Sequence, residues 1–375
     1  MDQREATVKK PSIFIFAGEA SGDLHGEKIV QELKTNCSVT GVGGPKMRQA
    51  GLNCILPMEE FQVMGFVDVF FALPKLIRHF YRLRKAILQL KPDLVLFIDY
   101  PGFALRMAEH LRTKKFSGKI AHYICPSVWA WGKKRIPRMA RDLDLLLTIL
   151  PFEKRHFEKT TLQVQYVGHP LLERCIRTKK STAKRVGIFP GSREKELVRN
   201  LTIQLEAARA LIKKDQELRF VVSVASLSFL PLIEKEVKAV GIDVELVLPE
   251  GREDLLESID YAIAKSGTIT LELALYGVPT IVTYGLSKLD AFIAQYLLRL
   301  KLPYYCIVNI IAGREVFPEL MGPHLNVEAL VNKFLKIVSQ AELCRAECLK
   351  LKEILASKES ELSSELMRLI EAKRT

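Results

Sequence analysis

The sequence contains no run of about 20 mostly apolar residues, the length a membrane-spanning helix needs. Its best stretches, at 69–73 and 145–152, fall well short, so contact with a membrane is expected to be peripheral. It also has no C-x-x-C pair. Its 7 cysteines are odd in number and scattered, which speaks against a disulfide framework or a zinc ribbon and fits a reducing cytoplasm. The 7 histidines show no metal-ligand clustering, and no metal is expected. The first ten residues are charged, and the apolar run 13–17 stops at Gly18-Glu19, too short for the hydrophobic part of a secretion signal. Internal repeats and low-complexity tracts are absent. A content of 48% hydrophobic and 26% charged residues in a chain of 375 excludes intrinsic disorder and leaves room for one or two sizeable cores. Missing too are the G-x-G-x-x-G of dinucleotide binders, the Gly-Lys-Ser/Thr of a P-loop and a nucleophile elbow. Without RNA or DNA motifs, nucleic acid is not an expected partner.

What is present is an alternation of short apolar runs with longer segments of helical period, the pattern of βαβ units on a parallel sheet. The fold class is α/β. Strands are expected at 12–17, 38–42, 94–98, 120–124, 145–149 and 164–167, then at 186–189, 220–224, 244–248, 261–264 and 280–283. The simplest architecture is two Rossmann-like domains facing a cleft, followed by C-terminal helices. Residues 1–176 form the first domain, 185–340 the second and 341–375 the terminal helices, with the polar, basic stretch 177–184 as linker. The net charge of +13 favours anionic partners. It is lopsided, since residues 1–175 hold 27 basic against 17 acidic side chains and the rest only 29 against 26.

Part of that excess lies between Asp68 and Asp93, where there is no acidic residue. Lys75, Arg78, Arg82, Arg84, Lys85 and Lys91 alternate there with apolar side chains at helical spacing. A surface helix solvating one face explains such a pattern; so does an interfacial helix. In the second reading Phe66, Phe70 and Phe71 meet acyl chains, Lys75, Arg78 and Arg82 meet anionic headgroups, and Pro74 sits in the first turn.

Three Gly/Ser-rich turns join a strand to a helix, where free amides and the helix dipole attract an anion. The first, AGEASGD, carries Glu19 as a hydroxyl acceptor or base, Ser21 as an N-cap, and Gly22. The second, PGSR, offers Gly191 and Ser192 at a helix start and Arg193 as a fixed charge. The third, SGT, supplies Ser266, Gly267 and Thr268, with Glu272 about one turn inside. Two such turns in the second domain suggest a nucleotide diphosphate, with Glu272 on the ribose hydroxyls. Asp99 directly follows the apolar strand LVLFI, at the carboxyl edge where open α/β sheets bind ligands. It suits a general base or a turn cap, and position alone does not separate the two. Both tryptophans fall in PSVWAW, beside Lys133, Lys134 and Arg135. Asp142-Leu-Asp144 spells the D-x-D of some metal-dependent enzymes, yet it leads into an apolar strand and reads as accidental.

Taken together, AGEASGD, GVGGPKM, VMGFVDV, IDYPGF, PSVWAW, LPFE, VGHP, PGSR, SGT and NIIAGRE strongly resemble the lipid-A-disaccharide synthase family, from about residue 12 to beyond 320. The resemblance implies an inverting glycosyltransferase of GT-B architecture that uses no cofactor and no metal. Its implied substrates are UDP-2,3-diacylglucosamine and 2,3-diacylglucosamine 1-phosphate. Its implied products are a β-1,6-linked disaccharide 1-phosphate and UDP. By motif correspondence Asp99 is the base, with Glu19 as rival. Asn309, Arg314 and Glu315 join the donor side, and Glu19, Ser21 and Gly22 lie across the cleft. The implied location is cytoplasmic, peripheral to the inner membrane, and the expected partners include a second copy of the chain. Other GT-B enzymes, namely a peptidoglycan glucosaminyltransferase or a UDP-sugar epimerase, share the Ser-Gly-Thr and Glu pattern; a non-catalytic lipid or nucleotide binder is the remaining alternative.

Overall fold

The computed structural model describes residues 10–61, 66–173, 184–286, 303–356 and 360–374. The chain forms two compact units. The first runs to Gly168 and includes the C-terminal segment from 360; the second takes the residues between. The linker expected at 177–184 lies outside the described residues except for Lys184.

In the first unit, β1 (Ser12–Ala17), β2 (Ser38–Gly43), β3 (Asn53–Pro57), β4 (Leu94–Ile98), β5 (Lys119–Tyr123), β6 (Leu145–Thr148) and β7 (Gln163–Tyr166) form one sheet. It is ordered β3-β2-β1-β4-β5-β6-β7, and every pair is parallel. Helices α1 (Ala20–Leu33), α2 (Pro45–Ala50), α3 (Phe66–Leu90), α4 (Pro101–Thr113) and α5 (Ile136–Asp142) provide the crossovers. The apolar runs of β1 and β4 follow from this layout. Ile13–Ala17 and all of β4 are buried, because a parallel sheet is covered on both faces by its own helices. Each large side chain so buried contributes about 1.5–3 kcal/mol. Gly41 of β2 lies opposite Ile15, and a Cβ there would run into the Ile15 carbonyl oxygen.

The second unit repeats the plan with β8 (Arg185–Phe189), β9 (Arg219–Ser223), β10 (Glu245–Val247), β11 (Tyr261–Lys265), β12 (Thr280–Tyr284) and β13 (Glu319–Met321). Their order is β10-β9-β8-β11-β12-β13, again parallel. Its described helices are α6 (Glu194–Lys214), α7 (Leu230–Val240), α8 (Arg252–Ser258), α9 (Thr268–Leu275), α10 (Ile307–Ala312), α11 (Val327–Ser339) and α12 (Ala341–Ala356). A final helix, α13 (Leu362–Arg374), returns to the first unit, where Leu366, Leu369 and Ile370 join Ile29 and Leu33 of α1 in one cluster.

In both sheets the strand order reverses beside the first strand, between β1 and β4 and between β8 and β11. Such switch points open a crevice at the carboxyl ends of the strands. Two short edge strands, β3 and β13, were not among those expected. Pro74 stands inside α3, not in its first turn, because the helix already begins at Phe66.

Candidate active site

In the first unit a cavity of about 750 Å³ opens at the switch point. Glu19 and Asp99, which follow β1 and β4, both line it. One wall is apolar, with Leu73, Leu76, Ile77 and Phe80 from α3; another is basic, with Arg106, Arg135 and Arg138. Leu73, Ile77 and Tyr81 recur every four residues along α3, hence on one face, and each is about half exposed, at 47–49%. The expected membrane cations differ in their engagement. Lys75 pairs with Glu60 at 2.7 Å, while Arg78 and Arg82 are exposed. The side chains of Phe66, Phe70 and Phe71 lie outside the described residues.

The backbone beneath Asp99 is strained. Asp99 and Tyr100 both have φ +52°, and Ile124, at the end of the neighbouring β5, has φ +74°. Left-handed backbone is uncommon for Asp and an outlier for bulky or β-branched residues, and costs about 1–3 kcal/mol apiece. Compensation lies directly below. Phe16 stacks on Phe103 at 4.3 Å and meets Phe61 edge-on at 5.2 Å; Tyr100 joins that cluster and donates its hydroxyl to the Phe61 carbonyl at 3.3 Å. Aromatic pairs of this kind contribute about 0.5–1.5 kcal/mol each, so the cluster offsets the strain and holds Asp99 at the cavity wall. Burial pushes the Asp99 carboxyl above its ordinary range, against a weaker pull from the Tyr100 backbone N–H. Such a carboxylate is a better proton acceptor than one in water. Glu19 is exposed at the N-cap of α1 and makes no side-chain cap bond. Ser21 is exposed inside the first turn, so the expected N-cap role falls to position 19 instead. Gly22 is buried, and a Cβ there would press on Ala17 at 3.3 Å.

Asp23, in the same turn, was not singled out from sequence. It is 3% exposed and accepts backbone N–H groups from Gly44 at 2.8 Å, Met47 at 3.0 Å and Lys46 at 3.1 Å, capping α2. AGEASGD and GVGGPKM are thus two halves of one structure. Asp142 and Asp144 are structural as well. Asp142 binds Arg141 at 2.8 Å, and Asp144 accepts from Arg112 and from the Ile120 N–H at 2.8 Å.

In the second unit a smaller cavity, about 330 Å³, lies at the carboxyl ends of β8, β9 and β11. Gly191, Ser192, Gly267, Thr268 and Glu272 all line it, from two separate turns. With them come charges that sequence reasoning missed. Lys265 binds Glu196 at 2.9 Å, and Arg252 binds Glu272 at 2.7 Å. Burial disfavours ionisation of Glu196, but Lys265, the Ser192 N–H and Arg193 together outweigh it and hold the carboxyl below its ordinary value. Gly191 takes φ +129°, which a side chain would resist. The PGSR turn opens α6 at Glu194, so Ser192 precedes the helix and Arg193 occupies the N-cap without a side-chain capping bond.

Several expected donor residues stand elsewhere. Arg193 is 81% exposed, touches Glu196 at 3.4 Å and does not line the cavity. Ser266 donates to the Tyr305 carbonyl at 3.3 Å. Asn309 is fully buried, and its valences are used internally. Nδ2 donates to the Phe317 carbonyl at 2.7 Å and Glu319 at 2.8 Å; Oδ1 accepts from Val316 and Phe317 at 2.8 and 2.9 Å. It therefore shapes the NIIAGRE turn and does not present its amide to a ligand. Arg314 pairs with Glu347 of α12 at 2.7 Å, and Glu315 with Lys333 of α11 at 3.6 Å. Both are exposed and absent from the cavity wall, because the turn that carries them is drawn to the C-terminal helices.

Two doubly wound parallel sheets, each with a cavity at the carboxyl ends of its strands, together with C-terminal helices, define the GT-B fold. The UDP-GlcNAc 2-epimerase from Neisseria meningitidis bound to UDP-GlcNAc shares it, with a TM-score of 0.60 at 11% identity, covering 97% of this chain and 100% of that one. Within that class, the chain belongs to the lipid-A-disaccharide synthetase family, whose model matches residues 13–371. The lipid-A-disaccharide synthase of Chlamydia pneumoniae is 42% identical over 335 residues, 86% of this chain and 55% of that protein. That of Geobacter sulfurreducens is 34% identical over 362 residues, 92% of this chain and 93% of the relative. The chain thus spans about half the length of the chlamydial relatives it matches and nearly all of the Geobacter protein.

Proposed function

We propose that this chain is an inverting glycosyltransferase that joins UDP-2,3-diacylglucosamine to 2,3-diacylglucosamine 1-phosphate, giving a β-1,6-linked disaccharide 1-phosphate and UDP. The observation that carries the reading is Asp99: a strained, half-buried carboxylate with its proton affinity raised, on the wall of a cavity both apolar and basic. A phosphorylated, acylated sugar matches that wall chemically. Asp99 takes the proton of the acceptor 6-hydroxyl as that oxygen bonds to the donor's anomeric carbon. The bond from that carbon to the diphosphate breaks at the same time, UDP leaves with the electron pair, and a single displacement inverts the centre. Glu19 is the rival base; its exposure favours Asp99.

The donor's diphosphate takes the cavity of the second unit, at the start of α9 and beside Lys265 and Arg252, with Arg193 reachable from its exposed position. Glu272 leaves Arg252 to hold the ribose. Neither step calls on a metal. The half-exposed Leu73, Ile77 and Tyr81, with Arg78 and Arg82 on the same helix, support peripheral binding to an anionic membrane. No helix among the described residues is long and apolar enough to cross one.

The test is mass spectrometry of the purified chain with both lipids in mixed micelles. Equimolar disaccharide phosphate and UDP are expected. Release of UDP without disaccharide, epimerised donor, or equal turnover of an unacylated UDP-sugar would overturn the reading.

A further inference from the structure

The cavity of the first unit has a basic wall built by two helices. On α4, Phe103, Arg106 and His110 are spaced three and four apart and therefore share a face; all three line the cavity. Arg135 and Arg138, three apart at the start of α5, do the same. Arg138 and Arg106 are incompletely engaged within the protein. Arg138 is anchored through Nη2 to Glu109 at 2.6 Å, while its buried Nε makes no hydrogen bond among the described residues. Arg106 is exposed and has no ion-pair partner among the described residues. A guanidinium fixed along one edge, with donors left over, is suited to the several acceptor oxygens of a phosphate.

Placement makes the match more specific. Arg106 lies five residues beyond Pro101, roughly 7.5 Å along α4, and Asp99 lies just before that helix. A ligand that puts a hydroxyl at Asp99 and an anion at Arg106 must carry the two across something the width of a sugar ring, with its apolar parts on the α3 wall. We propose that Arg106, Arg135 and Arg138 form the subsite for the anomeric phosphate of the acceptor, so that phosphate recognition sets which end of the sugar meets Asp99. This assignment rests on the glycosyl-transfer reading above.

The experiment compares Arg106→Gln and Arg135→Gln with the unaltered chain on two acceptors in detergent micelles, one bearing the anomeric phosphate and one lacking it. For the phosphorylated acceptor each variant should lose about 10- to 100-fold in kcat/KM, mainly through acceptor KM, as expected for one charge-assisted hydrogen bond. For the acceptor without phosphate the loss should shrink to about twofold, and Arg106→Lys should recover part of the preference. Equal losses on both acceptors, or an unaltered chain with no preference between them, overturn the subsite while leaving glycosyl transfer intact. No disaccharide from either acceptor overturns both. Sedimentation with phosphatidylglycerol vesicles separates a second source of the same chemistry. Binding should survive Arg106→Gln; lost vesicle binding with acceptor preference unchanged would assign these arginines to lipid headgroups and overturn the proposal.

Discussion

The two cavities occupy the same position on two sheets of the same kind, yet they handle charge in opposite ways. In the second unit the cations are already matched, Lys265 with Glu196 and Arg252 with Glu272, both at under 3 Å. In the first, Asp99 is set against burial, Arg106 is exposed without an ion-pair partner among the described residues, and Arg138 keeps a donor to spare. The smaller cavity is internally neutralised, so an entering diphosphate exchanges one set of partners for another. The larger one is left electrostatically incomplete beside an apolar wall, and only a ligand with both characters completes it. Pre-matched charge stabilises the empty protein; unmatched charge selects the ligand.

The sharpest way to break this contrast is Asp99→Asn. Asn tolerates left-handed backbone, so the substitution removes the base with little added strain. Turnover should fall roughly 10²- to 10⁴-fold in steady-state assays, with acceptor binding retained. In the unaltered enzyme the acid limb of kcat/KM should lie above the ordinary carboxylate range, activity rising with pH as Asp99 loses its proton. A limb at an ordinary carboxylate value, or near-normal turnover of the variant, would move the chemistry to Glu19.

Next comes the paired side. Glu196→Ala leaves Lys265, only 14% exposed, without its carboxylate. It should lower the stability of the second unit by about 3 kcal/mol in urea unfolding, and UDP should restore part of it, since the diphosphate supplies the missing anion. A loss that UDP cannot touch would mean the pair serves packing alone.

Per pH unit, the smallest effects are the pH slopes of the first unit. Burial pushes Glu153 up to about 8, against the backbones of Leu150 and Ile149 and the Trp129 side chain. Burial likewise pushes His122 down to about 4, against the backbone of Tyr123. Between their ordinary values and these, Glu153 holds a proton that the unfolded chain releases, so its contribution falls as pH rises from 4.5 to about 8. His122 refuses a proton that the unfolded chain accepts, so its contribution falls as pH drops from 6.5 to about 4. Each slope is about 1.4 kcal/mol per pH unit, and the two cancel between 4.5 and 6.5. Glu153→Gln should flatten the loss of stability above pH 6.5. His122→Gln should expose that loss already from pH 4.5, read by urea denaturation across pH. Unchanged slopes in both variants would show that neither group is coupled to folding.

How far the sequence predicted all this depended on distance along the chain. The strands β1, β4, β8 and β11 were legible because they are buried on both faces and so read as uninterrupted apolar runs. The turns after them were legible because glycine and serine cluster there. β3 and β13 were not, being short strands at sheet edges, with Asn53 and Pro57 bounding one of them. Nor were the ion pairs, since Lys265 and Glu196 are 69 residues apart and nothing local marks them as partners. Asn309 teaches the complementary point. Its motif identified the family, but a motif residue can hold a loop in shape as readily as it touches a ligand, and only its buried hydrogen bonds distinguish the two.

The carboxylate of Asp23 has a consequence for how such a protein can change over time. Its oxygens occupy the space that any side chain at Gly44 would need, and they hold the amides that start α2. A substitution at either position alone meets a clash or strands buried amides, so viable descendants must alter both together or neither. Two motifs about twenty residues apart are thereby inherited as one.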